Sequence, residues 1–357
     1  MLLAGTMAVG CKSSSGPVAG DTHGIDASGN VWMNPPPPGE GIQIAVQPFV
    51  VPDSAEVQGN FYLHLPSNVP FDVGRIEIAM NEGTHHMNLY KSTTYWPPDS
   101  GVNRPVILTD ISGKADTMNI KYQAQFNATI VRNGGDLMVE AQVPYLNWEF
   151  PKLNDGPNAG AQTCVHFGAN DTLVIENHYV NISSLTGGGS QTTPNGYGKV
   201  IINLWKTTSA PVVHGSMMFA RKTNLVVAPG DNTYKKDCYF PGVQSDSIYL
   251  LGMTGHFHSR GKRFWVEERQ TTSTGDSLLA TIYDSPTWSE PPFSAYSTPI
   301  KVKIGKGQFL RYYAEYLNTT GVAIPFGPHV ATQEHMNLFV WFAPGWNDGQ
   351  TVYDDNN

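Results

Sequence analysis

The chain has 357 residues, 40% of them hydrophobic and 11% aromatic, and a formal net charge of −8. Such a length suits two domains with substantial cores. Only 15% of residues are charged and no block of Lys and Arg stands out, which excludes a nucleic-acid footprint; no run of 18 apolar residues is present to make a transmembrane helix.

The first residues, "MLLAGTMAVGCKSSSG", are short, apolar and uncharged up to Cys11. They resemble the end of a bacterial lipoprotein signal, which implies an exported, periplasmic or cell-surface protein with a lipid anchor on Cys11; an unlipidated export signal is the other reading. Residues 1–40 are read as signal, lipobox and flexible linker, ending in the proline run "NPPPPGEG" (34–41). A strand-rich region follows over 41–207, interrupted by a loop or outward hairpin at "LTGGGSQTTPNGYG" (185–198). "WKTTSAPVVHG" (205–215) reads as the crossover to a second strand-rich region over 208–348, and 349–357 as a frayed polar tail. Segments such as "GKVIINLW" (198–205), "DSIYLLGM" (246–253) and "QFLRYYAEYL" (308–317) alternate β-branched, aromatic and polar residues between turn residues. The fold class expected is all-β, as two tandem antiparallel β-sandwiches of jelly-roll type. Cys164 and Cys238 either form one disulfide stapling the two halves or stay as two buried thiols.

The eleven histidines are clustered. His85 and His86 adjoin one another. His178 lies in "TLVIENHYVN" (172–181), an apolar run typical of a strand. His256 and His258, in "TGHFHSRGKRFWVE" (254–267), are spaced i, i+2, so on a strand they share a face and can meet one ion. A third ligand must come from elsewhere. Met336, in "TQEHMNLFVWF" (332–342), offers a thioether, a soft donor that favours copper; core packing is the alternative reading of a methionine. His335, next to it, is expected to face the opposite way, toward solvent or the interdomain space. His329 and His214 read as supporting donors or loop histidines, and His166, His64 and His23 have no partner in sequence. Glu176 shares a face with His178 and is placed to orient an imidazole.

In order and spacing, "GRIEIAMNEGTHHMNLY" (74–90), "ENHYVN", "GHFHSRGK", "YAEYLNTTGVAIPFGPH" (313–329) and "EHMNLFVWF" resemble the copper type II ascorbate-dependent monooxygenases, the family of peptidylglycine α-hydroxylating monooxygenase and dopamine β-monooxygenase. The resemblance spans roughly residues 75 to 345. It implies two copper ions per chain, one held by His85, His86 and His178, the other by His256, His258 and Met336. The first copper then transfers electrons, and the second set carries oxygen activation and hydroxylation of a substrate C–H bond, with ascorbate or a similar small reductant. An adjacent histidine pair converges on one ion only where the strand is irregular, so a bulge or bend is expected there, permitted by Gly83. Two departures argue against a peptidylglycine substrate: Thr254 stands where the peptide-amidating members carry an arginine, and Phe339 or Val340 replaces their tyrosine. Phe257, Trp265 and Trp341 are either pocket walls or core. Arg260, Lys262 and Arg263 are either an anion attractor or a solvated cluster. No Ser-His-Asp signature or phosphate loop offers a rival mechanism. The alternatives are a copper-binding electron-transfer protein without turnover, a zinc hydrolase, or a β-sandwich surface protein with incidental histidines.

Overall fold

The computed structural model describes residues 22–52, 55–65, 70–92, 101–123, 135–169, 171–181, 195–241 and 247–355. Cys11 and the lipoprotein-like signal lie outside them. Among the described residues the fold is all-β: the single helical element is a three-residue 3-10 turn at Trp346–Asp348, and no helix is long and apolar enough to cross a membrane.

The first region is built on a twelve-stranded sheet. Its pairing order runs from Val212–His214 through Gln162–Phe167, Phe71–Met80, Asn195–Lys206 and Gly41–Pro52, and ends with Ala55–His64, Thr172–Asn181, Thr84–Ser92 and Asp136–Ala141. Strands far apart in that order share one core, in which Ile42, Leu89, Trp148 and Ile202 are buried together. Thr172–Asn181 is paired on both sides and buried at all ten positions, so its polar residues must find partners within the protein. The second region has a sheet containing Ile248–Phe257, Met336–Ala343 and Ser216–Arg221, and a four-stranded sheet containing Gly261–Thr272 and Gln308–Asn318.

The strand Met336–Ala343 separates two cores by strict alternation. Met336, Leu338, Val340 and Phe342 enter the second region's core, while Phe339, Trp341 and Ala343 pack into the first. The regions are therefore joined by a buried apolar face.

Three sequence expectations change at the margins, and one open alternative is decided. Val212–His214 pairs in parallel with Gln162–Phe167, so the first sheet extends beyond residue 207. The C-terminal residues are not frayed up to 355: Val352–Asp354 adds a parallel strand to Ser216–Arg221, and Thr351 N–H donates to Asp136 Oδ1 at 2.8 Å. The linker is partly structured, since Val31–Met33 pairs with His23–Ile25 and buries Val31 and Met33 against Ala45 and Ile201. Cys164 and Cys238 are separate buried thiols rather than a disulfide.

Candidate metal centre

The adjacent histidines sit on a bulge. In the pairing of Thr84–Ser92 with Thr172–Asn181, His178 stands opposite His86, but Tyr179 stands opposite Thr84. His85 is the extra residue, and the added residue breaks the alternation that would send neighbouring side chains to opposite faces. Gly83 enters the bulge with φ of +94°, and a Cβ there would lie 2.6 Å from the Tyr179 ring. As a result the rings of His85, His86 and His178 converge, with centroids 4.9–5.4 Å apart.

In the second region, His256 and His258 share the face that looks toward the first region, as i, i+2 spacing requires. The expected thioether does not join them. His256 is paired with Asn337 and Phe257 with Met336, so Met336 shares a face with Phe257 and both are fully buried in the second core. One step along, His335 faces His258, with ring centroids 4.3 Å apart. His335, half-buried and turned toward the other histidines between the regions, takes the place expected for Met336. The two neighbours do part to opposite faces, and it is His335 that lies on the histidine side, because Met336 packs with Phe257 and commits the even-numbered positions of that strand to the second core.

The six imidazoles form one array rather than two pockets across a gap. His85 lies 4.8 Å from His256 and 5.4 Å from His258, and His86 lies 4.8 Å from His256, centroid to centroid. Two trios have donor atoms within 4.8 Å of one another: His85, His86 and His256, drawn from both regions, and His256, His258 and His335. His178 adjoins the first trio.

Each of the six rings keeps one buried nitrogen without a hydrogen-bond partner: Nε2 of His85, His256 and His258, and Nδ1 of His86, His178 and His335. On four rings the opposite nitrogen is held. His256 Nδ1 donates to Gln142 Oε1 at 2.7 Å, His258 Nδ1 to the Gln333 carbonyl at 3.1 Å, His178 Nε2 to Glu56 Oε1 at 2.7 Å, and His86 Nε2 to Glu176 Oε1 at 3.3 Å. Such bonds select the tautomer whose lone pair points inward, the usual support for a metal-ligating imidazole. Unpaired buried nitrogens are costly, so six converging on one volume fit a metal-binding role. Burial holds His85, His256, His258 and His335 well below the ordinary value of 6.5, and neighbouring imidazoles add to the effect. Burial also lowers His86, although its bond to Glu176 works the other way. These rings are neutral and available as ligands at physiological pH. Burial would raise the carboxyls of Glu176 and Glu56, yet their bonds to His86 and His178 hold both below 4.5.

Three supporting residues had no signal in the sequence. Gln142 bridges the regions, donating from Nε2 to the Gly255 carbonyl at 2.7 Å while it accepts from His256. Glu56 accepts from the Val330 N–H of the second region at 2.9 Å. Glu334 is fully buried and accepts from the N–H groups of His258 and Arg260, both at 3.0 Å, fixing the segment that carries His258. Glu176 was legible as an orienting residue, but it holds His86 rather than His178.

A cavity of about 80 Å3 opens beside the array, room for several waters or a small organic molecule. Tyr90, Phe219, Phe326 and Phe339 supply apolar wall, and Glu140, Asn88 and Asn337 face it with His86, His256 and His335. Both carboxyl oxygens of Glu140 and the amide oxygens of Asn88 and Asn337 are buried and unpartnered. The aromatic residues singled out in sequence lie elsewhere. Phe257 is in the second core, Trp341 stacks edge-on against Trp148, and Trp265 stacks on Tyr313 at 4.7 Å. The basic residues are paired: Arg260 with Glu334, Lys262 with Asp231 and Glu315, Arg263 with Asp284. They do not form an anion attractor at the cavity.

No family model matches the chain, and no curated protein matches it. Among solved structures it is similar to one described as "The Triple Jelly Roll Fold and Turret Assembly in an Archaeal Virus", at 11% identity over 86% of this chain and 61% of that chain, with a TM-score of 0.19. A likeness of that degree carries no argument about function, and the description of the fold rests on the strands themselves.

Proposed function

We propose that the protein is a copper-dependent monooxygenase that hydroxylates a C–H bond of a small organic substrate with O2 and an external reductant such as ascorbate. One observation carries the reading: six clustered imidazoles from both regions each keep a buried, unpartnered ring nitrogen, and three of them, His86, His256 and His335, line a small cavity. Among divalent first-row ions a nitrogen site binds copper most tightly. The resemblance to the copper type II monooxygenases supplies the reaction class. Two ions per chain would be held by His85, His86 and His178 with His256 adjoining, and by His256, His258 and His335 in place of the set containing Met336. Copper, when bound, supplies the one-electron and oxygen chemistry that side chains lack.

The chain's own residues bind, orient and exclude. Glu56, Glu176, Gln142 and the Gln333 carbonyl hold four rings in fixed tautomers. Phe219, Phe326 and Phe339 give the cavity an apolar wall. Glu140, Asn88 and Asn337 present acceptors to a substrate that brings hydrogen-bond donors.

Copper loading of metal-free protein, followed by oxygen uptake with ascorbate across candidate substrates, tests the proposal. Copper near two per chain and ascorbate-dependent uptake matched by hydroxylated product are expected. Stable zinc with no copper, or no metal at all, would overturn it. Bound copper without oxygen consumption would leave an electron-transfer protein instead.

A further inference from the structure

We propose a separate site for a divalent ion of zinc type, formed by Asp72, His166 and His214 with Asp348 orienting His214. It uses none of the six clustered histidines and does not depend on the copper reading. Three adjacent strands of the first sheet, Phe71–Met80, Gln162–Phe167 and Val212–His214, each contribute one donor. Asp72 and His166 are direct cross-strand partners, and His214 stands opposite Cys164, two residues before His166 and on the same face. Register alone therefore gathers the three side chains.

The distances suit one ion. Asp72 Oδ1 lies 2.8 Å from His166 Nδ1 and 3.2 Å from His214 Nε2, and all three donors fall within 4.8 Å of one another. Donors about 2.0–2.2 Å from a tetrahedral zinc sit roughly 3.3 Å apart, so an ion fits between them with small side-chain adjustments.

His214 carries the second mark of a ligand. Its Nδ1 pairs with Asp348 Oδ1 at 2.5 Å, which fixes the proton there and presents Nε2 as a lone pair. This is the carboxylate–histidine–metal relay. Asp348 reaches His214 through a turn in which Asn347 (φ 42°) and Asp348 (φ 60°) both take left-handed backbone, uncommon outside glycine. The Asp72, His166 and His214 side chains are 25%, 33% and 21% exposed, so an ion can enter from water and keep a water as fourth ligand. Bound there, it ties the crossover to the first sheet, with the C-terminal turn held through His214.

The test is zinc binding by equilibrium dialysis, and cobalt binding by visible absorption, on full-length chelator-treated protein. A His86→Ala/His178→Ala/His256→Ala/His335→Ala variant first suppresses both sets of clustered histidines. One equivalent of zinc is expected to remain in that background and to vanish when His214→Ala is added. Asp348→Asn should weaken it about 10–100-fold without removing it. Asp72→Asn, which preserves shape, reports the same loss if His214→Ala unfolds. No retained equivalent in that background, or a stoichiometry unmoved by both His214→Ala and Asp72→Asn, would overturn the site.

Discussion

His258 and His335 face each other just beyond the paired ends of two antiparallel strands, with ring centroids 4.3 Å apart, while Met336, the next residue, points from the opposite face into the second core. The Tyr316 hydroxyl donates to the His335 carbonyl, which fixes that position from behind. His335→Ala should therefore remove copper from the second trio. Met336→Leu conserves volume and should keep full copper stoichiometry at a stability cost under about 1.5 kcal/mol. Copper analysis after dialysis and denaturant unfolding check both; copper lost from the Met336 variant and kept in the His335 variant would restore the thioether as ligand.

Gln142 holds the ring of His256 from the other region. Gln142→Ala frees that ring to rotate and change tautomer, and should weaken copper binding about 10–100-fold. Competition against a chelator of known affinity measures it. An unchanged affinity would show that the contact is structural only.

Gly83→Ala places a methyl group against the Tyr179 ring at a φ of +94°. Strain of this kind costs about 1–3 kcal/mol, and relief of it must shift the bulge that aims His85. The expected result is a lower urea midpoint together with reduced copper stoichiometry. A variant with wild-type stability and copper content would mean that the bulge tolerates a side chain.

Metal-free protein should lose stability as pH falls below 6.5. Above that value the depressed histidines are neutral whether folded or not. Below it the unfolded chain takes up protons that His85, His256, His258 and His335 refuse while folded, so the folded state is progressively disfavoured. Glu140 has the opposite sign. Burial pushes its carboxyl well above 4.5, so above pH 4.5 unfolding releases a proton that folding retains, and stability falls as pH rises. Glu140→Gln removes that second dependence and should raise the midpoint at pH 7.5 while leaving the acid limb intact. Urea titrations at pH 7.5 and 5.5 decide; a Glu140→Gln midpoint that does not fall between pH 7.5 and 5.5 would contradict the buried, neutral histidines.

Much of the site was readable along the chain because strand geometry is local. Two adjacent histidines cannot share a face of a regular strand, so convergence demanded the irregularity now seen at His85. His256 and His258 had to share a face for the same reason. Alternation likewise required His335 and Met336 to part. It could not say which of them met the histidines, because that depends on where Phe257 and Leu338 find their core. The supporting residues were beyond reach for a related reason. Gln142 lies 114 positions from His256 and Glu56 lies 122 from His178, and no periodicity within either segment encodes so distant a partner.

By itself the sequence determined the β character, the positions of the histidine-bearing strands and the break in regularity at residues 85–86, all consequences of side-chain period and glycine placement. Tertiary structure alone decided that the two histidine groups merge into one array, that His335 rather than Met336 belongs to it, and that Val212–His214 and Val352–Asp354 complete sheets on either side of the junction. Those outcomes turn on which faces bury apolar area against each other. That choice is made by the whole packed molecule rather than by any single segment.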